Sequence, residues 1–213
     1  MKLFGYWRSS ASYRVRIALN LKGLTVEHVA VNLKDGAHRE APYAAINPQM
    51  LVPTLQLEDG TRLTQSAAII EYLDEGFEGP ALLPADRVAR AQARGAMAII
   101  GGDTAPIQNL RVLKYLRGQL EQAEPVVQEW ARHWIATGLE SLEAMVAEQT
   151  SPFLFTETPS AAECFLIPQL YNARRFGVDL SALPRLCEVE AKCQALPAFE
   201  TAKPENQADA PAC

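Results

Sequence analysis

The sequence predicts two parts of different class, an α/β domain over residues 1–79 and an all-helical domain over residues 86–213. Three observations predict it. A short apolar strand, a helical stretch and a β-branched strand succeed one another within residues 1–31, the order of a βαβ unit. A hairpin signature follows, with Asp59-Gly60 turning between Val52–Leu57 and Thr61–Thr64. Beyond Pro80, Leu82, Leu83 and Pro84, which read as a linker, apolar residues recur at helical spacing and strand signals stop.

Met1 to Trp7 is short and mixed apolar, and Leu3 and Phe4 mark it as a strand. From Ser10 the pattern turns helical, since Val15, Ala18 and Leu19 fall at i, i+3 and i+4. Gly23 then ends the helix, because glycine takes the left-handed conformation there cheaply. Thr25 to Val31 is the second strand, and residues 36–46 hold a short helix that Pro42 makes irregular. Gln65 and Ser66 open a helix whose Ile69, Ile70 and Leu73 repeat until Gly76. The first half therefore reads β-α-β-α-β-β-α. The second half has helical patterns over 87–117, Pro125–Ala147 and Ala161–Phe176, and a final helix after Pro184. Ser160 with Glu163 is a capping box, in which the serine caps the helix and the glutamate answers back. The tail from Lys203 to Cys213 is short of apolar residues and is expected to be mobile.

Composition narrows the function. A net charge of −5 argues against nucleic-acid binding, which usually needs a basic stripe. No apolar run approaches the ~20 residues that span a bilayer. Arg8, Arg14 and Arg16 interrupt any apolar signal core, so a cytoplasmic protein is expected. Cys164, Cys187, Cys193 and Cys213 show no Cys-x-x-Cys pair, and His28, His38 and His133 are scattered. Free thiols and no metal are the expectation.

The chemistry begins at Ser9 and Ser10, where the first strand ends and the first helix begins. Serine oxygens there accept the orphan amides of a helical turn. The same hydroxyls and amides also stabilise an anion, including a thiolate. Ser66 stands at another helix start and offers the same two uses.

The string Arg8-Ser9-Ser10-Ala11-Ser12-Tyr13-Arg14-Val15-Arg16-Ile17-Ala18-Leu19 resembles the Ser-Ser-Cys-x-x-Arg-Val-Arg-Ile-Ala-Leu motif of the zeta-class glutathione transferases. The resemblance continues through Asn47-Pro48, Leu51-Val52-Pro53-Thr54-Leu55 and Gln65-Ser66 with Ala68–Leu73. It extends to Pro106, Gln108-Asn109-Leu110, Pro168-Gln169 and Asn172-Ala173-x-Arg175-Phe176. The order and spacing of these strings together are specific where any one alone is weak.

That resemblance implies the glutathione transferase fold: a thioredoxin-like α/β domain that binds glutathione, and a helical domain that supplies much of the substrate pocket, with the site in the cleft between them. It also implies a homodimer. The family's cis proline would be Pro53, leaving the Val52 backbone to pair with glutathione. Ser66 and Gln65 would hold the γ-glutamyl end, His38 the glycyl end, and Gln108 and Asn109 would lie near the site. On the residues alone, His38 reads as a surface-loop histidine. Ser9 and Ser10 would stabilise the thiolate.

The implied substrates are keto-diacids, and a guanidinium presents a rigid fork that matches a carboxylate. Arg8 and Arg175 are the residues to carry that role, with Arg111 assisting. Arg174 is the rival of Arg175 and lies on a different helical face. The spacing of Arg14 and Arg16 suggests structural ion pairing. The implied reaction is isomerisation of maleylacetoacetate to fumarylacetoacetate, a step of aromatic amino-acid breakdown.

One position departs from the family motif: Ala11 stands where the motif has cysteine. The nucleophile is therefore assigned to the thiol of glutathione. Maleylpyruvate isomerisation and general glutathione transfer are the alternatives within the fold. A scaffold that only binds partners would need neither the serine pair nor Gln65-Ser66.

Overall fold

The computed structural model describes residues 1–211, and by its contacts the chain falls into two compact units. The first comprises Met1–Leu83 together with the chain from Gln194 onward, and the second is Pro84–Cys193.

In the first unit β1 (Lys2–Gly5), α1 (Ser10–Leu21) and β2 (Glu27–Ala30) form the expected βαβ element, with β1 and β2 parallel. A 3₁₀ turn at Ala37–Arg39 and the short α2 (Ala41–Ala44) follow. Then come β3 (Thr54–Gln56), β4 (Arg62–Thr64) and α3 (Ser66–Gly76). The strand order is β2-β1-β3-β4, and β3 is antiparallel to both neighbours. Side chains alternate across a strand. One face carries Phe4 and Val29, packed with Val31, Tyr43 and Val52. Leu3 and Leu55, paired across the sheet, are buried on the other. Gly5 lies close to α1, where an added Cβ would sit 3.2 Å from Ser12 Oγ.

The end of the chain departs from expectation. A further short helix, α9 (Pro197–Ala202), packs on α1, so this part of the 86–213 segment belongs by its contacts to the first unit. The tail beyond it is anchored through the described residues. The Trp7 amide donates to Asp209 Oδ2 at 2.9 Å, while at the end of α9 Arg16 Nε donates to the Ala202 carbonyl at 3.0 Å. Hydrogen bonds and the buried Pro204 hold it, which is why its low apolar content misleads. Ala212 and Cys213 lie outside the described residues.

The second unit is helical: α4 (Arg87–Ala98), α5 (Leu110–Gly118), α6 (Glu124–Val146), α7 (Ala161–Arg175) and α8 (Pro184–Gln194). The periodic stretch 87–117 is not one helix. A π-helical turn, Ile99–Thr104, follows α4. Pro106 then offers no amide hydrogen to continue it, and Asn109 restarts the helix as the cap of α5. The predicted capping box is present. Glu163, fully buried, accepts from the amides of Leu154 and Ser160 at 2.8 and 2.7 Å, and the Ser160 hydroxyl accepts from Ala162.

The π turn rests on α6 at Gly138, where an added Cβ would overlap Thr104 Oγ1 and crowd the rest of that side chain. Thr104 cannot turn aside freely, because its hydroxyl donates to the Ile99 carbonyl at 2.8 Å. Gly138→Ala is therefore expected to destabilise by about 1–3 kcal/mol through overpacking, despite the better helix propensity of alanine. Urea unfolding checks this. A variant as stable as the parent would mean that Thr104 yields without cost.

Candidate functional site

Strand register decides what meets at one edge of the sheet. Phe4 is opposite Thr54, and Thr54 is opposite Thr64. The chain leaving β1, the chain entering β3 and the chain leaving β4 therefore lie at the same edge. They carry Arg8-Ser9-Ser10, Val52-Pro53 and Gln65-Ser66 respectively. The peptide Val52-Pro53 is cis.

The segment before Pro53 is tied down by two residues that were not singled out as site residues, Tyr43 and Asn47. Both donate to the Leu51 carbonyl, at 2.6 and 2.8 Å. Both also bond Thr54 Oγ1, at 3.0 and 3.2 Å. Burial pushes the Tyr43 phenol pKa up, so it remains a donor. The Asn47-Pro48 string was the only signal for this anchor.

Ser9 is the N-cap of α1, and its Oγ accepts from the Ser12 amide at 3.2 Å. Both uses of the residue survive, because a hydroxyl that accepts one bond still has its own proton to donate. Ser10 is the first helical residue. Arg8 is exposed, with its guanidinium 5.3 Å from the centre of the Trp7 ring. At α3 the cap position belongs to Gln65, at φ 69°, and its side chain caps nothing. It donates instead to Gln49 Oε1 at 3.0 Å. Ser66 is thus not the cap. It is buried, and its Oγ accepts from Arg14 Nη1 at 3.3 Å.

Neither α1 nor α3 has an acidic residue in its first turn. The partial positive charge of each helix start is therefore not offset from within its own first turn. Arg14 adds a buried guanidinium beneath Ser66, its pKa lowered to about 10 by that burial. Arg14 reaches the Ser66 hydroxyl, and Arg16 donates to the carbonyls of Trp7 and Ala202. Arg16 also lies in the field of the Asp209 carboxylate, in line with the structural role expected for it. The reading of His38 is corrected: it is buried in the 3₁₀ turn, not a surface-loop histidine.

In the helical unit the structure joins Gln108 to Arg175 through Asn172. Asn172 Nδ2 donates to Gln108 Oε1 at 2.9 Å, and its Oδ1 accepts from Arg175 Nε and Nη2 at 3.2 and 2.7 Å. The Arg175 guanidinium lies 4.5 Å from the centre of the Phe176 ring. Arg174 is committed elsewhere, in a two-bond pair with Glu190 at 2.5 Å each. Asn109 Oδ1 accepts from the Arg111 amide, and the Arg111 side chain is exposed. Asn172 was visible only as a motif letter, because one of its two partners, Gln108, lies 64 positions away.

Ala11 sits in the first turn of α1, so the position where the motif has cysteine offers no thiol beside Ser9 and Ser10. Burial raises the pKa of Cys164, Cys187 and Cys193, so none of these described thiols is activated.

Residues 8–75 match the family model of the glutathione S-transferase N-terminal domain. The maleylacetoacetate isomerase of Pseudomonas aeruginosa is 48% identical, with 100% of both chains covered. A solved maleylpyruvate isomerase, described as a bacterial zeta-class glutathione transferase, aligns with a TM-score of 0.96 at 44% identity. It covers 99% of this chain and 100% of its own. A maleylacetoacetate isomerase of Methylobacterium extorquens AM1, solved with malonate and glutathione bound, aligns with a TM-score of 0.96 at 37% identity and full coverage of both chains. With its fold, its motifs and its full-length likeness in agreement, the chain belongs to the zeta class of the glutathione transferase family.

Proposed function

We propose that this chain is a glutathione-dependent cis–trans isomerase that converts maleylacetoacetate to fumarylacetoacetate, acting as a cytoplasmic homodimer. The observation that carries the reading is the meeting of two helix starts without acidic residues, those of α1 and α3, at one sheet edge beside Val52-Pro53. Such ends favour anions, and glutathione presents carboxylates and a thiol that must ionise. The fit is chemical as well as electrostatic. Gln65 leaves the α3 amides without a side-chain cap, and Ser66 offers a hydroxyl backed by Arg14. The homodimer rests on the family resemblance of the sequence. Among the described residues no helix is long and apolar enough to cross a membrane.

Ser66, Gln65, His38 and the Val52 backbone would hold the tripeptide, with Gln108 and Asn109 as further contacts. Bound glutathione would supply a thiolate that adds reversibly to the conjugated double bond, freeing it to rotate. The task of Ser9 and Ser10 is to keep that thiol ionised. A free thiol has a pKa near ~8.5, and lowering it by ~2 units takes about 2.7 kcal/mol. One hydroxyl donor and a helix start together supply that amount. Arg8 and Arg175 would grip the substrate carboxylates, with Arg111 in support, and would favour the negative charge that develops on the substrate. The malonate bound in one relative supports a diacid as substrate.

Maleylpyruvate is the second reading, favoured by the relative of that name at 44% identity and 98% coverage of this chain. Assaying the purified protein on both substrates, with and without glutathione, decides between them. Higher kcat/KM for maleylpyruvate would overturn the first reading.

Turnover is expected only with glutathione present, and glutathione should be recovered unchanged. Isomerisation without it, or its stoichiometric loss, would remove the mechanism. For Ser9, both Ser9→Ala and Ser9→Gly should raise the pKa of the bound thiol by about 1–2 units, the worth of one charge-assisted hydrogen bond. Glycine keeps most of a helix cap while alanine does not, so only Ser9→Ala should also lower stability. An unchanged thiol pKa in both variants would leave Ser9 as a cap alone.

Arg175→Ala should raise KM for diacids by ~10-fold or more, the cost of a lost charged hydrogen-bond partner. A neutral electrophile should be little affected. Arg175→Lys should rescue in part, since it keeps charge and loses the fork. Arg174→Ala is the control, and a selective loss there would mean that the wrong arginine has been assigned.

A further inference from the structure

The turn that delivers Arg8 and Ser9 is gripped by the far end of the chain. Beyond α9 the backbone makes a 3₁₀ turn at Pro204–Asn206 and folds back. Asn206 Nδ2 donates to the Glu200 carbonyl at 2.8 Å. Gln207 Nε2 donates to the carbonyls of Thr201 and Lys203, at 2.9 and 2.8 Å. This strap carries Asp209 to Trp7, where Oδ2 accepts the Trp7 amide at 2.9 Å. The Trp7 carbonyl is held as well, by Arg16 Nη2 at 2.9 Å. Arg16 is buried and is itself pinned to the chain end through Nε and the Ala202 carbonyl at 3.0 Å. Both polar backbone groups of Trp7 are therefore bonded to the strap, or to a side chain fastened at the strap's root.

Trp7 and Arg8 are the two central residues of a turn closed by the Ser9 amide on the Tyr6 carbonyl at 3.0 Å. Reorienting the Trp7 peptide would move Ser9 through that turn. It would also move Arg8, whose guanidinium lies against the Trp7 indole. A turn amide bonded to water has no fixed direction, whereas one bonded to a tethered carboxylate has. Misplacing a reacting group by ~1 Å costs up to ~100-fold in rate, so a small freedom at Trp7 would be felt at Ser9.

We propose that Asp209 is a positioning residue for Arg8 and Ser9, acting through its hydrogen bond to the Trp7 amide. The inference rests on the reading of Ser9 as the partner of the glutathione thiol. It adds a requirement that the N-terminal motif does not contain: the strap must be docked for the serine to be aimed.

Asp209 is exposed, so its substitution should leave the fold intact, within the small range usual for surface changes. Full-length Asp209→Ala should lower kcat about threefold to tenfold, the worth of one hydrogen bond. It should also raise the pKa of the bound thiol, leave KM for glutathione within about twofold, and speed hydrogen exchange at the Trp7 amide. Asp209→Asn keeps an acceptor oxygen and should recover most of the loss. If exchange at Trp7 quickens in Asp209→Ala while kcat and the thiol pKa stay at the parent values, the bond exists but aims nothing, and the proposal is overturned. It is equally overturned if asparagine loses as much as alanine, since charge and not the hydrogen bond would then be at work. A parent protein that binds glutathione without lowering its thiol pKa would instead bring down the reading of Ser9, and the role of the strap with it.

Discussion

Thr54 lies opposite Phe4 on one side and opposite Thr64 on the other, and that double register is the constraint on which the first unit depends. A slip of one residue in either pairing would turn every side chain of β3 to the wrong face. It would also carry Val52-Pro53 away from the ends of β1 and β4. The register is therefore reinforced from beside the sheet. Thr54 is fully buried, and its hydroxyl bonds Tyr43 and Asn47, the two residues that hold the Leu51 carbonyl. A buried polar cluster with its partners in place is rigid, because any displacement leaves a desolvated group unpaired.

The helical unit meets a different problem. A long helix aims side chains by rotation about one axis, so polar groups destined for one place must come from separate elements. Here a periodic stretch is broken by a π turn and Pro106, and the break presents Gln108 just ahead of α5. Asn172 on α7 then ties Gln108 to Arg175. Its amide donates in one direction and accepts in the other, which apolar packing has no means of doing. Arg174, one residue earlier, is pulled to Glu190 on α8. Adjacent arginines with equal charge thus end in separate environments.

Residues whose role depends on local geometry were legible in the sequence. Ser9 at a strand-to-helix junction, the capping box of Ser160 and Glu163, and the stop at Gly23 follow from backbone groups within a few positions. The family motif added Val52-Pro53, Gln65 and Ser66, which periodicity alone would leave as loop and cap. The tail was expected to be mobile for its low apolar content, whereas Asp209 accepts from the Trp7 amide and Gln207 donates to the carbonyls of Thr201 and Lys203. The interruption near Pro106 was missed because apolar spacing continues on both sides of it. His38 read as a loop residue for a similar reason, since burial of a polar residue in a turn leaves no periodic trace.

By itself the sequence determined the class of both halves, the order of their elements and the presence of hydroxyls at two helix starts, since each follows from periodicity, capping and turn chemistry over short distances. It also determined that Ala11 stands where the family motif has cysteine. Only the tertiary structure decided which polar partners each candidate acquires. Arg14 chose Ser66, Arg175 chose Asn172, Arg174 chose Glu190, and Asp209 closed on Trp7 across 202 positions of chain. These side chains are alike in sequence, and their pairing depends on which backbone the fold brings within hydrogen-bond reach, a distance that no local spacing encodes.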